Sequence, residues 1–367
     1  MKILYLTNIP SPYIVDFLNE LGKFCELTVI FERKTSAERD KSWENYRFKN
    51  FTGIVLKGIN VKPDSAVSPG IIKYIKKNVY DHIIVANPCT PTGIIALEYM
   101  KLRKIPYVIE SEGGFAKNGK GIKERFKKQI MSGAYLYFST CDVDDEYFLM
   151  YGAEKEKLVR YPFTSLYKKE ILKEPLTEED KQNIKQKLNF KEKIIILSIG
   201  RFIPIKGFDI LLKACKNFSE KVEICIIGGA PTDEYMNIIN ELNLHNIYFL
   251  DYLSKNEIKE YYLAADIFVL PTRSDTWGLV IPEAMSYGLP VIATNQCVAA
   301  LALIKEFENG FVVPTEDVNI LEEKIELLIN NSDLRKKIAN TNIEKMKNYT
   351  IEEMAQRHLE VFKNYIL

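Results

Sequence analysis

Short apolar runs alternate along this chain with stretches in which apolar residues recur every three or four positions. The first spacing marks strands and the second marks amphipathic helices. In the first half the runs predict strands over 2–7, 26–31, 82–86, 105–110 and 134–138. The helical spacing predicts helices over 12–22, 68–78, 92–103, 120–131 and 143–151. A charged stretch from Lys168 to Lys193 interrupts the alternation; within it Thr177, followed by Glu178, Glu179 and Asp180, has the signature of a helix N-cap. The pattern then restarts, with strands over 193–199, 222–227, 247–250, 266–270 and 290–293. Helices are predicted over 206–218, 232–243, 254–263, 279–287, 317–330, 333–347 and 351–366. Such alternation specifies an α/β protein built of parallel sheets with helices on both faces. The restart implies two doubly wound domains joined near 162–190. Ligands of such sheets bind at the carboxyl ends of the strands, and the cleft between two such domains is the expected site.

Bulk properties narrow the class. A chain of 367 residues is too long for one ordinary core. With 47% hydrophobic and 27% charged residues it reads as a folded globular protein rather than a disordered one. The six cysteines (25, 89, 141, 215, 225, 297) form no CxxC pair and sit in or beside apolar runs, so we expect buried thiols in a reducing compartment. Lys2 leads straight into a strand, without the pattern of a secretory signal, and no apolar run approaches the ~18 residues of a membrane-spanning helix. A cytoplasmic protein is expected. Net charge is +1, yet residues 1–170 carry 27 Lys+Arg against 20 Asp+Glu, and the remainder 23 against 29. The basic half points to an anionic partner such as the inner face of a membrane; no nucleic-acid partner is expected.

The densest chemistry lies in Pro271–Met285, where the strand Ile267–Leu270 runs into a Gly-containing turn that opens a helix. Unpaired amides at a helix start suit phosphate. Asp275 and Glu283 flank the turn, and such carboxylates accept hydrogen bonds from sugar hydroxyls. Gly200-Arg201-Phe202-Ile203-Pro204-Ile205-Lys206-Gly207 ends another strand and offers two cations to a diphosphate. Gly228 ends the next strand, where a glycine lets backbone approach a ligand or makes a plain turn. In the first half, Glu110-Ser111-Glu112-Gly113-Gly114 ends a strand and reads as a catalytic or substrate-binding loop. Pro10, Ser11 and Tyr13 follow the first strand; they either start a helix or contact an acceptor. Asp142-Val143-Asp144-Asp145 contains an Asp-x-Asp but reads better as a helix start than as a metal site. The three histidines (82, 245, 358) are isolated, so no metal centre or Ser/His/Asp arrangement is expected. Ile122, Phe126, Ile130 and Met131 make the apolar stripe of a basic helix, which reads either as core-facing or as membrane-facing.

In combination these motifs resemble the glycosyltransferases of group 1, also called glycosyltransferase family 4, which have the GT-B fold. The resemblance spans nearly the whole chain and is strongest over 198–314. It rests on Gly-Arg-x4-Lys-Gly at 200–207, Pro-Thr-Arg-Ser at 271–274 and Gly-Leu-Val-x2-Glu-Ala-Met-x2-Gly-x-Pro-Val-Ile at 278–292. It implies an N-terminal acceptor-binding Rossmann-like domain over 1–165, with helix 350–367 packing back on it. The nucleotide-sugar domain would then be 166–349. It further implies that Glu283 binds ribose hydroxyls, that Asp275 meets the donor sugar, and that Arg201 and Lys206 hold the diphosphate. Gly200, Gly228, Thr276, Trp277, Gly278, Leu279 and Val280 complete the implied donor site. Glu110, Gly113, Pro10, Ser11 and Tyr13 fall to the acceptor.

The chain departs from the family in four places. Residues 8–13 replace the glycine-rich loop after the first strand. Asp275 stands where the Glu-x7-Glu motif has its first Glu. Glu112 stands where many members have a His that contacts the donor sugar. Thr294–Ala300 replaces a small glycine turn. The implied activity is a retaining, metal-independent transfer of a hexose-type sugar from a nucleoside diphosphate, UDP-linked, to a glycan or lipid-linked oligosaccharide. Two alternatives stay open, a GT-B-fold nucleotide-sugar epimerase and a non-catalytic sugar-nucleotide-binding partner of another transferase. A dinucleotide dehydrogenase is disfavoured, since no GxGxxG follows the first strand.

Overall fold

The computed structural model describes residues 1–35, 47–116, 119, 121–191 and 193–365. The chain divides into two compact units, Met1–Tyr167 with Tyr349–Leu367, and Lys168–Asn348.

The first unit is built on β1 (Lys2–Thr7), β2 (Glu26–Phe31), β3 (Thr52–Val55), the hairpin β4 (Ile59–Lys62) and β5 (Ser65–Val67), β6 (His82–Val85), β7 (Val108–Glu110), β8 (Leu136–Ser139) and β9 (Leu158–Arg160). Seven of these strands form one parallel sheet in the order β3-β2-β1-β6-β7-β8-β9. Ile3, Leu4, Tyr5 and Leu6 are all buried. An unbroken apolar strand is what a sheet covered on both faces requires. Helices α1 (Pro12–Leu21), α2 (Pro91–Arg103), α3 (Ile122–Met131) and α4 (Asp142–Met150) fill the crossovers. The last helix, Ile351–Asn364, packs on α1 and buries Met354, Leu359 and Phe362. Ile351 N donates to Leu166 O at 2.7 Å, which ties the helix start to this unit. Ile366, the last residue of the expected helix, lies outside the described residues.

The second unit is a six-stranded parallel sheet in the order β12-β11-β10-β13-β14-β15. Its strands are β10 (Ile194–Ile199), β11 (Val222–Ile227), β12 (Ile247–Leu250), β13 (Ile267–Leu270), β14 (Val291–Thr294) and β15 (Gly310–Val313). Its helices are α5 (Glu178–Lys187), α6 (Phe208–Ala214), α7 (Asp233–Glu241), α8 (Lys255–Ala264), α9 (Val280–Ser286), α10 (Val298–Leu303), α11 (Val318–Asn330) and α12 (Ser332–Met346). Thr177 caps α5, its hydroxyl accepting from Asp180 N at 3.1 Å. Strands run outward from β10 to β12 on one side and from β13 to β15 on the other. The order therefore reverses between β10 and β13, and a crevice opens at the carboxyl ends there.

Several elements differ from the sequence pattern. The helix expected over 68–78 is only a 3-10 turn, Pro69–Lys73. Gly70 disfavours helix, and Asn78 at φ 63° breaks any continuation. The helix expected from 206 begins at Phe208, because Gly207 is left-handed. Strands β3, β9 and β15, three or four residues each, are too short to show a period. The apolar stripe on α3 divides: Ile130 and Met131 are buried, whereas Ile122 and Phe126 are exposed. Asp142 and Asp145 pair with Arg160 at the start of α4, and Asp144 is buried with Thr140 N donating to it at 3.1 Å. No cluster of three or more His, Cys, Asp or Glu suited to a metal occurs among the described residues. No helix among them is long and apolar enough to cross a membrane. Of the six cysteines, four are buried, Cys25 is half-buried and Cys89 is exposed.

Two buried carboxyls make this unit sensitive to pH. Glu32, at the end of β2, accepts hydrogen bonds from Thr90 Oγ1 and from Ala66 N, the latter at 3.2 Å. Burial pushes its carboxyl from 4.5 up to about 7, against the opposing pull of those bonds. Burial likewise raises Asp144 from 3.8 to about 7. The folded chain therefore holds protons that the unfolded chain has released. Stability should fall as pH rises from about 4 to about 7 and then level off, each group contributing at most about 3–4 kcal/mol. We expect the thermal midpoint to drop across this interval and the double variant Glu32→Gln/Asp144→Asn to flatten the drop. An equally steep profile in the variant would disprove the assignment.

Candidate functional site

The loops after β10 and β13 flank the switch point of the second unit. Lys206 closes a 3-10 turn, Pro204–Lys206, after β10. Asp275 lies in the loop after β13. Lys206 Nζ sits 2.6 Å from Asp275 Oδ2, with both side chains about one-fifth exposed. A close pair at that burial is attractive but not sealed from a ligand. Gly200 lies against the Lys206 stem, where a Cβ would meet Lys206 Cδ at 3.3 Å. Gly228 is required for a backbone reason: at φ 141° its Cβ would stand 2.1 Å from Gly200 O. Arg201 is half-buried in the same loop.

The loop carrying Lys206 is clamped to the loop carrying Asp275. Arg273 N donates to Ile205 O at 2.7 Å, and Thr272 Oγ1 donates to the same oxygen at 2.9 Å. The Arg273 guanidinium grips Asp209 with two bonds, at 2.9 and 2.8 Å, and reaches Glu316 and Pro204 O. Burial alone would raise the Asp209 carboxyl, but the bonds and charge of Arg273, helped by Lys213, hold it below its usual range. Arg273 of the Pro-Thr-Arg-Ser motif is thus a positioning residue. Its sequence signal, a basic residue after the strand, says nothing of this partner 64 positions away.

Past Asp275 the chain turns at Gly278, φ 96°, into α9. A Cβ on Gly278 would stand 2.6 Å from Cys297 Sγ. Cys297 donates to Trp277 O at 2.9 Å, and Ala299 N to the same oxygen at 2.9 Å. Asp275 N donates to Gln296 O at 2.8 Å. The unusual segment Thr294–Ala300 is therefore the floor on which the Asp275 loop rests. Burial first and Asp275 second push the Cys297 thiol up to about 12. Thr276 is exposed, and Leu279 and Val280 are half-buried at the start of α9. Trp277 corrects the sequence expectation: it is only 3% exposed, so its indole belongs to loop packing rather than to a ligand surface.

Glu283 lies one turn into α9, where Tyr262 of α8 donates to its Oε2 at 3.0 Å. Tyr262 stacks on Tyr287 with centroids 5.2 Å apart and planes 12° apart. Sequence reasoning missed Tyr262, because nothing in an apolar helix position 21 residues upstream marks it.

In the first unit the order reverses between β1 and β6, and Asn87 stands at that point. Its Oδ1 accepts from Thr7 Oγ1 at 2.9 Å and Asn8 N at 3.0 Å, joining the two loops. Tyr13 hydroxyl bonds both oxygens of Glu112, at 3.1 and 3.0 Å, so these two expected residues meet. Gly113 follows at φ 129°, a conformation open to glycine. Three acceptor expectations are corrected. Glu110 is 1% exposed, its Oε2 3.4 Å from Nε2 of the equally buried His358 on the last helix. His358 stacks flat on Phe138, with centroids 4.3 Å apart, so the pair is a core feature. Pro10 and Ser11 are buried where α1 begins, with Pro12 at its first turn, and act as helix-starting residues.

Residues 180–345 match the family model described as Glycosyl transferases group 1. The chain carries a group 1 glycosyltransferase domain. An uncharacterized glycosyltransferase of Haemophilus influenzae is 29% identical to this chain over 177 residues, 47% of the chain and 50% of that protein. The chain spans about half the length of the first curated relatives it matches. A Campylobacter jejuni protein named N,N'-diacetylbacillosaminyl-diphospho-undecaprenol alpha-1,3-N-acetylgalactosaminyltransferase is 22% identical over 285 residues, 75% of this chain and 74% of its own. Among solved structures, Anabaena HepE in complex with UDP superposes with a TM-score of 0.81 at 18% identity, covering all of both chains. At that identity the likeness shows the fold, which is GT-B. The clamp, the Lys206–Asp275 pair and Glu283 all fall inside the group 1 glycosyltransferase domain.

Proposed function

We propose that this protein is a retaining hexosyltransferase that moves a sugar from a nucleoside diphosphate, UDP-linked, to a hydroxyl of a glycan in cell-surface polysaccharide or lipopolysaccharide assembly. The observation that carries this reading is the Lys206–Asp275 pair, 2.6 Å apart at a switch point inside a group 1 domain. In this reading Lys206 and Arg201 neutralise the diphosphate, which is where charge grows as the sugar departs. Two cations in place make a metal unnecessary. Glu283, oriented by Tyr262, accepts from the ribose hydroxyls. Asp275 accepts from the donor sugar, and its short side chain selects among sugars. The attacking hydroxyl gives its proton to the departing phosphate on the same face, which retains the anomeric configuration. The acceptor engages the Tyr13–Glu112 pair of the first unit and is lipid-linked, at the cytoplasmic face of a membrane. HepE, solved with UDP and with UDP-glucose, and the undecaprenol-linked substrate in the name of the Campylobacter protein support donor and acceptor class by analogy.

The test is calorimetric titration with a panel of nucleotide sugars, followed by transfer assays with undecaprenol-linked acceptors in chelator and anomer assignment by NMR. Transfer with retained configuration is expected. An altered free nucleotide sugar without acceptor would indicate an epimerase, and tight binding without turnover a non-catalytic partner. Tyr262→Phe removes one hydrogen bond to a carboxylate. We expect donor KM to rise about tenfold with kcat little changed. An unchanged KM would exclude Tyr262 as the orienting group.

A further inference from the structure

The carboxyl end of β2 carries a buried acid, Glu32, whose bonds lead to the loops at the β1–β6 switch point. Glu32 is 1% exposed. Its Oε2 accepts from Ala66 N of the β4–β5 hairpin, and its Oε1 meets the hydroxyl of Thr90, the N-cap of α2. The same hydroxyl lies 2.9 Å from Asn87 O and accepts from Gly93 N at 3.0 Å. Asn87 in turn holds Thr7 and Asn8 through its Oδ1. Asn8 opens the loop that reaches Tyr13, the partner of Glu112.

A hydroxyl has one proton to give. Asn87 O can only accept, and Gly93 N can only donate. The Thr90 proton therefore goes either to Glu32 or to Asn87 O. An ionised Glu32 takes that proton, and Asn87 O then keeps only the bond from Thr90 N, at 3.2 Å. A neutral Glu32 donates to Thr90 instead and frees the Thr90 proton for Asn87 O. We propose that Glu32 is a positioning residue for the acceptor: as a neutral acid it turns the Thr90 hydroxyl onto the Asn87 carbonyl and so fixes the loops after β1 and β6. The inference rests on the acceptor reading of the Tyr13–Glu112 pair and names a residue that acts on its loop from a distance. Burial raises the Glu32 carboxyl to about 7, so both states are populated near neutrality and the neutral one is lost as pH rises. The charged groups around it are few. Arg33 follows it, but its guanidinium reaches Lys62 O at 2.7 Å and Pro63 O. Lys57 after β3 and Lys62 in the hairpin are exposed, and Asp64 is half-buried. Neither 3–15 nor 86–97, the stretch that opens α2, contains Asp, Glu, Lys, Arg or His.

The experiment follows the side-chain amide of Asn87 in proton–nitrogen spectra of the full chain with labelled asparagine, assigned by its loss in Asn87→Asp. Between about pH 6 and about pH 8 this signal should titrate in the parent. It should stay fixed in Glu32→Gln, whose amide donates to Thr90 at every pH. Acceptor KM, measured with the undecaprenol-linked acceptors, should rise about fivefold over the same interval in the parent. In Glu32→Gln it should keep its low-pH value, while kcat and UDP affinity follow the same pH course in both proteins. Thr90→Val, which has no hydroxyl, should hold KM at the high value throughout, and Thr90→Ser should restore the step. An Asn87 signal that ignores pH, or that titrates equally in Glu32→Gln, overturns the proposal. So does an acceptor KM with the same pH course in the parent and Glu32→Gln. A chain that transfers to no acceptor refutes the transferase reading instead, and the Asn87 signal still decides whether Glu32 acts on this loop.

Discussion

Lys206→Ala should lower sugar transfer about a thousandfold, the loss expected when one preorganised charge is removed from a departing anion. Lys206 is held in place before any ligand arrives. Its loop is pinned through Ile205 O by Thr272 and Arg273, and its Nζ lies 2.6 Å from Asp275. Asp275 neutralises it in the free protein, so a diphosphate must share or displace that partner. The two single variants should therefore part company. Lys206→Ala should weaken UDP binding along with transfer. Asp275→Asn should bind UDP at least as tightly, because a negative charge beside the phosphates is gone, yet transfer poorly for want of a sugar contact. Calorimetry with UDP and initial-rate assays on the same preparations decide it. UDP affinity unchanged in Lys206→Ala would remove this residue from the phosphate site.

Gly207→Ala should destabilise the second unit by about 3 kcal/mol, from left-handed strain and overpacking together. Gly207 has φ 68°, and a Cβ there would stand 2.0 Å from Pro271 O. A main-chain carbonyl cannot swing aside as a side-chain tip can. The loop must lift, and Lys206, one residue earlier, lifts with it. We expect a drop in thermal midpoint of roughly 10 °C and transfer reduced nearly as far as in Lys206→Ala. Gly70→Ala is the control, since nothing lies within 4 Å of a Cβ there. Equal midpoints for Gly207→Ala and Gly70→Ala would refute the close-approach argument.

The two predictions draw on different sources of information. Arg201, Lys206, Asp275 and Glu283 were legible as candidate site residues because each follows a strand or opens a helix, where ligands of such sheets bind. The α/β class and most elements were legible for a similar reason: parallel strands buried on both faces form unbroken apolar runs, and amphipathic helices keep their period. Both are local properties, written within a few residues.

What the sequence left open is what depends on distant partners. Glu110 and Glu112 look alike in a strand-ending loop, yet Glu110 is buried against His358 and Glu112 meets Tyr13. The family resemblance places Trp277 in the donor site, but its indole is packed inside its loop. Arg273 is only one member of a motif until Asp209 and Glu316 come to it. Tyr262 carries no signal at all until α8 lies against α9. By itself, then, the sequence determined the class of fold, most of the succession of elements and the loops that hold the candidate residues. Only the tertiary structure decided which side chains in those loops stay open to solvent and which hold the others in place, because burial and pairing are set by residues far apart along the chain.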